Sequence, residues 1–137
     1  MPASIDQLVD ALLSAGAIKS SAVEAAFQAV PRHLFVPDVA IEDAYRNEAI
    51  VTKMLDGRAV SSASQPSIVA AMLEQVDLAQ GQRVLEVGAG TGYNAALLGH
   101  IVGPRGRVVT VDIDEHRRWC ARSSCGGGRR RRQSGLW

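Results

Sequence analysis

The sequence is short of several things, and each shortage removes a class of protein. Its 137 residues include only two cysteines, Cys120 and Cys125. No CxxC pair and no second ligand group accompany them, so even with His116 nearby the spacing of a metal site is absent. Free thiols fit a reducing cytoplasm. No stretch reaches the ~18 uninterrupted apolar residues of a membrane span. No positively charged start followed by a long apolar run marks a signal peptide. The expectation is a soluble, cytoplasmic protein with no membrane partner.

Acidic residues are missing from the end of the chain. All 14 lie at or before Glu115, whereas residues 117–137 hold seven arginines and no acid. The formal net charge of +1 therefore conceals an acidic body, with a net of −6 over residues 1–116, and a basic tail. Within that tail Gly126-Gly127-Gly128 runs into four consecutive arginines, Arg129 to Arg132. Such low-complexity sequence without an apolar period is expected to be disordered. The tail's aromatics are Trp119 and Trp137 alone, and no folded recognition module is visible, so a nucleic-acid partner is not expected.

What remains is enough to build a core. Hydrophobic residues make up 47% of the chain, and the length fits one domain. It is short for a complete nucleotide-binding α/β domain. Residues 4–14 read as a helix, with Ser4 and Gln7 at capping-box spacing and Ile5, Leu8, Val9, Leu12 and Leu13 on one face. A second helix spans about 21–29, with Ser21 and Glu24 at the same spacing. Pro31 and Pro37 forbid a regular helix between them. His33, in that segment, is read as structural rather than as a base.

Ile41 to Tyr45 reads as a short helix, and Ile50–Met54 and Ala59–Ser61 as strands around the Asp56-Gly57 turn. Ser61 to Ser64 reads as a polar loop. A helix then begins near Pro66, capped by Ser64 or Gln65, with Ile68, Val69, Met72, Leu73 and Val76 inward. After Gly81 come an apolar strand (83–87), a glycine-rich turn (88–92), a helix (93–101) and a second apolar strand (107–111) that ends at Asp112. Strand, glycine turn, helix and strand within about 30 residues make a βαβ unit and imply a parallel sheet.

The spacing of the turn discriminates between ligands. It reads Glu86-Val87-Gly88-Ala89-Gly90-Thr91-Gly92, or E-x-G-x-G-x-G. A dinucleotide fold uses G-x-G-x-x-G, and here the position of its third glycine is held by Tyr93. The phosphate loop G-x-x-x-x-G-K-[ST] is also absent. A nucleoside without phosphates suits the pattern better. Asp112, at the end of the next strand, can accept hydrogen bonds from both ribose hydroxyls.

Three stretches together resemble the protein-L-isoaspartate O-methyltransferase family. They are Val30-Pro31-Arg32 with Phe35-Val36-Pro37, Ser64-Gln65-Pro66 with Ile68-Val69-Ala70, and Val84 to Leu98 followed by Val108 to Asp112. The resemblance covers residues 1 to about 115. It implies the α/β fold class: the amino-terminal part of a Rossmann-like S-adenosylmethionine-dependent methyltransferase fold, preceded by a small helical region. The expected organisation is 1–80 as the helical, substrate-side region, 81–115 as the first βαβ unit, and 116–137 as the tail.

The resemblance also implies S-adenosyl-L-methionine as methyl donor and a peptide or protein carrying a free isoaspartyl carboxylate as partner. Glu86, Gly88, Ala89, Gly90, Thr91, Gly92 and Asp112 would bind the cofactor. Ser64 would lie beside the reacting carboxylate as the catalytic residue, and a helix cap is the competing reading of its hydroxyl. The run Val51 to Ala63 departs from the family's usual Pro-Ile-Gly and Gly-Gln-Thr-like pattern. The alternative is therefore a family-like enzyme acting on another peptide carboxylate, such as that of a peptide natural product. A non-catalytic fragment with a basic tail is a third reading. Beyond Glu115 the family pattern gives way, as a frameshift near residue 116 or a truncated pseudo-enzyme would produce. A sheet of two strands would then leave edges and apolar faces uncovered and favour self-association.

Overall fold

The structure, a computed structural model, describes residues 4–113. The basic tail, with its cysteines and its expected disorder, lies outside them. Helix α1 (Ile5–Ser14) starts where Ser4 Oγ accepts the Gln7 N–H at 3.3 Å and buries Leu8, Val9 and Leu12. Helix α2 (Ser21–Ala29) buries Val23, Ala26 and Phe27. Its cap is Ser20, one residue before the serine expected from spacing. Ser20 Oγ accepts the Val23 N–H at 3.3 Å and donates to Glu74 Oε1 at 3.1 Å. The same Glu74 oxygen accepts the Lys19 and Ser20 N–H groups, each at 2.8 Å. Two adjacent serines offer equal local chemistry, and a carboxylate 54 residues away selects between them.

Between the prolines the chain makes a 3-10 turn at Arg32–Phe35. The four-residue helix α3 (Ile41–Ala44) follows. Strands β1 (Ile50–Leu55) and β2 (Arg58–Ala63) form an antiparallel hairpin. Asp56 and Gly57 both have positive φ, 49° and 74°, as a two-residue primed turn requires. The expected loop at Ser61 to Ser64 is corrected for Ser61 to Ala63, and holds for Ser64. Ser61 and Ser62 continue β2, because Ser62 pairs with Val51 and Ala63 with Ile50. Cross-strand pairing outweighs serine's weak strand preference. A small apolar cluster of Val36, Ala44 and Ala63 roots the hairpin.

Helix α4 (Pro66–Val76) has Gln65 as N-cap residue, with no side-chain cap bond, so Ser64 lies just outside the helix. Val69, Ala70 and Leu73 are buried. Ile68, Met72 and Val76, expected inward, are 53%, 44% and 58% exposed. Strand β3 (Arg83–Val87), helix α5 (Tyr93–Val102) and strand β4 (Arg107–Val111) make the βαβ unit, with β3 and β4 parallel in the register Val84–Val108 and Glu86–Thr110.

One apolar core joins α1, α2, α4, α5 and β4, and Phe27 meets Tyr93 edge-on at 6.2 Å. Such an aromatic pair adds about 1 kcal/mol beyond the area it buries. Helix α5 lies on the sheet face that carries Val84 and Val108. The opposite face, with Leu85, Val87, Val109 and Val111, is exposed within the described residues. Parallel sheets ordinarily bury both faces. Among these residues no helix is long and apolar enough to cross a membrane.

Candidate functional site

The glycine turn sits at the carboxyl ends of the two parallel strands, where sheets of this kind bind ligands. Gly88, Gly90 and Gly92 have φ of 91°, 54° and 87°. A side chain is strained at each of them. A methyl carbon built on Gly88 or Gly90 would meet nothing within 4 Å, so the space before the turn is open to a ligand. The turn's own amides are used internally. Gly88 and Ala89 N–H donate to the Val111 carbonyl at 2.7 and 3.1 Å, and Gly92 N–H to that of Ala89 at 2.9 Å. Those three N–H groups are therefore not free to face a ligand. Holding the turn closed against β4 outweighs presenting them outward.

The two acids of the motif are anchored differently. Asp112 Oδ2 accepts the Gly90 N–H at 2.9 Å, which places the carboxylate against the turn. Glu86 is held at both oxygens, by Asn94 Nδ2 at 2.6 Å and Thr110 Oγ1 at 2.7 Å. Asn94 Oδ1 is buried without a hydrogen-bond partner. Ser64, Glu86, Gly88, Ala89, Gly90 and Thr91 line one cavity of about 260 Å³. The structure thus brings the serine segment and the glycine turn together. Gly92, buried at the start of α5, and Asp112 stand outside that lining. A larger cavity of about 580 Å³ lies between Phe35 to Val39 and strand β1, and shares Gly90 and Thr91 with the first.

Arg32 is the buried charge of this region, 1% exposed. Its Nη1 donates to the carbonyls of Ala44 and Arg46 at 2.9 and 3.1 Å. Its Nη2 donates to those of Glu48 and Ser64, both at 3.1 Å. Burial pulls its pKa below the ordinary value, while neighbouring Tyr93 acts the other way. Burial also holds the phenols of Tyr93 and Tyr45 above the usual tyrosine range, so both are neutral at pH 7. His33 Nδ1 lies 2.7 Å from the Tyr45 hydroxyl, and the histidine is outside both cavity linings.

Sequence reasoning missed Asn94, Thr110 and the role of Arg32. Thr110 could have been found, because the parallel register sets it opposite Glu86. Asn94, in the first turn of α5, gives no signal in the sequence beyond its nearness to the glycines. Arg32 stands in the Val30-Pro31-Arg32 stretch that carries the resemblance, but nothing in the sequence shows that its charge is buried.

The βαβ unit, the nucleoside-type turn and the acid closing β4 define the Rossmann-like methyltransferase class. The chain belongs to the protein-L-isoaspartate(D-aspartate) O-methyltransferase family, whose model matches residues 3–125. A protein-L-isoaspartate O-methyltransferase of Methanothermobacter thermautotrophicus is 40% identical over 106 residues, which is 77% of this chain and 46% of that protein. A solved protein-L-isoaspartate O-methyltransferase structure superposes with a TM-score of 0.73 at 34% identity, over 83% of this chain and 35% of the other. A beta-aspartate methyltransferase from Plasmodium falciparum, solved with S-adenosyl-L-homocysteine, shares the fold at a TM-score of 0.69 and 18% identity, over 81% of this chain and 50% of its own. The chain spans about half the length of the curated relatives it matches.

Proposed function

We propose that this chain carries the donor-binding part of an S-adenosylmethionine-dependent carboxyl methyltransferase acting on isoaspartyl residues of peptides and proteins. The observation that carries the reading is the open glycine turn, with anchored Glu86 and Asp112 on either side and Ser64 in the same cavity. The family and the S-adenosyl-L-homocysteine complex of the Plasmodium relative support the choice of donor.

The residues present fit such a donor. Gly88 and Gly90 would leave room for it along the main chain, and Ala89, Thr91 and Gly92 would complete the turn that holds it. Asp112 would hold the ribose, and Glu86 the methionine end. The buried, unpartnered Asn94 Oδ1 is an acceptor that an amino group would satisfy. When bound, the donor supplies a methyl group on a sulfonium sulfur. The protein's part is to align an acceptor oxygen and to exclude water. A carboxylate acceptor is already ionised at neutral pH, so no general base is needed. Ser64 would orient it by a hydrogen bond, its hydroxyl having no hydrogen bond to another described residue.

In this reading residues 1–80 form the acceptor side, 81–115 the donor side, and 116–137 the basic tail. The low cysteine content of the chain favours a cytoplasmic setting. Strand β1, part of the stretch whose sequence departs from the family, walls the larger cavity beside Gly90 and Thr91. That placement favours a second reading, a different peptide carboxylate as acceptor. Calorimetric titration with S-adenosylmethionine tests the donor site. No heat from folded protein would count against it. Methyl transfer to an isoaspartyl peptide but not to its aspartyl counterpart is expected, and transfer to the aspartyl peptide instead would favour the second reading.

A further inference from the structure

Two polar ties join the loop Ala44 to Glu48 to the segment Ser64 to Ser67. Arg32 Nη2 bridges the Glu48 and Ser64 carbonyls, while Nη1 holds those of Ala44 and Arg46. On the other side Asn47 Oδ1 accepts the Ser67 N–H at 2.9 Å. The guanidinium is buried, and among the described residues no carboxylate pairs with it. Its Nη1 and Nη2 meet carbonyl dipoles, and its Nε is unsatisfied. A buried cation of this kind is costly, and an apolar residue would fill the same volume more stably. What an apolar residue cannot do is tie four carbonyls from two separate segments into one geometry. The planar fork of arginine can, and the single ammonium of lysine cannot.

We propose that Arg32 is a positioning residue for methyl transfer: through the carbonyls of residues 44–48 it fixes the backbone of Ser64, and so the place of the Ser64 hydroxyl beside the glycine turn. The inference rests on the reading of Ser64 as the residue that meets the acceptor. Ser64 is exposed at the cavity and precedes α4, so its own helix does not constrain it. The Arg32 tie supplies that constraint from behind. A displacement of about 1 Å of such a group is enough to cost a large factor in rate.

The test is a double-mutant cycle in the full chain, with Arg32→Lys, Ser64→Ala and the pair, assayed on an isoaspartyl peptide. Arg32→Lys alone is expected to lower kcat by roughly tenfold and to leave S-adenosylmethionine affinity within about twofold. The double variant should lose no more than about twofold beyond the worse single, because both act through one group. Losses that multiply, or wild-type kcat in Arg32→Lys, would overturn the proposal. If Arg32→Lys does not fold, Asn47→Ala loosens the same junction from its exposed side and takes its place in the cycle.

Amide hydrogen exchange gives a readout independent of activity. Exchange at Arg46 and Ser67 should rise by about tenfold in Arg32→Lys while amides of α1 and α5 keep their rates. A rise spread evenly over the core would make Arg32 a fold residue only, and no change at Ser67 would remove the tie. Should the unmodified chain transfer no methyl group, the carboxyl-methyltransferase reading fails by itself, and the exchange pattern alone then decides the role of Arg32.

Discussion

Glu86 and Thr110 face each other across the parallel strands β3 and β4, and the threonine hydroxyl donates to the glutamate carboxylate at 2.7 Å. A residue on the second strand therefore orients the acid that ends the first. Thr110→Val keeps shape and strand preference while removing that bond. S-adenosylmethionine affinity should fall about fivefold, or ~1 kcal/mol, with little change in melting temperature. Calorimetry on the two proteins measures it. Equal affinities would show that Asn94 alone holds Glu86.

The Glu74 carboxylate ties α4 to the start of α2. Burial pushes its pKa up, but the Ser20 and Lys19 N–H groups, the Ser20 hydroxyl and the Lys19 charge outweigh it and bring the pKa below the ordinary value. A lowered folded-state pKa contributes stability that is present above the unfolded value, near ~4.3, and lost as pH falls through the folded value. Glu74→Gln should cost about 1–2 kcal/mol at pH 7, and the gap should close in more acid solution. Urea melts at pH 7 and pH 3.5 would show a constant gap if the carboxylate charge were irrelevant.

Gly88 has φ of 91° and open space before it. Gly88→Ala should therefore cost about 1–2 kcal/mol of stability through backbone strain alone. Donor binding should suffer more, because the methyl group occupies the space the ligand needs. A variant that melts earlier but binds S-adenosylmethionine with unchanged affinity would place the donor elsewhere.

The sheet face that the described residues leave uncovered should make the chain associate with itself. Leu85 is 66% exposed and Val109 38%, and both lie on the face opposite α5. Contiguous apolar surface of this kind drives association. Sedimentation velocity should show mass rising with concentration, and Leu85→Lys with Val109→Thr should reduce it. A monomer at every concentration, with no effect of the two changes, would contradict the prediction.

Much of the local structure was legible in the sequence. The caps and breakers placed α1, the Asp56-Gly57 turn and the βαβ order, because each rests on chemistry within a few residues. What a residue chooses among equal local options was not legible. Ser20 caps α2 because Glu74 reaches it from α4. Ser62 and Ala63 join β2 because β1 supplies the partners. The apolar stripe of α4 extends beyond what the described residues bury, so Ile68, Met72 and Val76 read as core yet stand exposed.

The candidate site divides along the same line. The sequence by itself determined the glycine turn, its preference for a nucleoside over a dinucleotide, and the acids at the ends of two strands. These follow from backbone angles that glycine permits and from the order of strand, turn and helix. Only the tertiary structure decided that Ser64 shares a cavity with that turn, that Thr110 and Asn94 hold Glu86, and that Arg32 carries its charge in the interior. Those relations join residues 8 to 32 positions apart, and pairing, burial and hydrogen-bond geometry arise only when the segments pack.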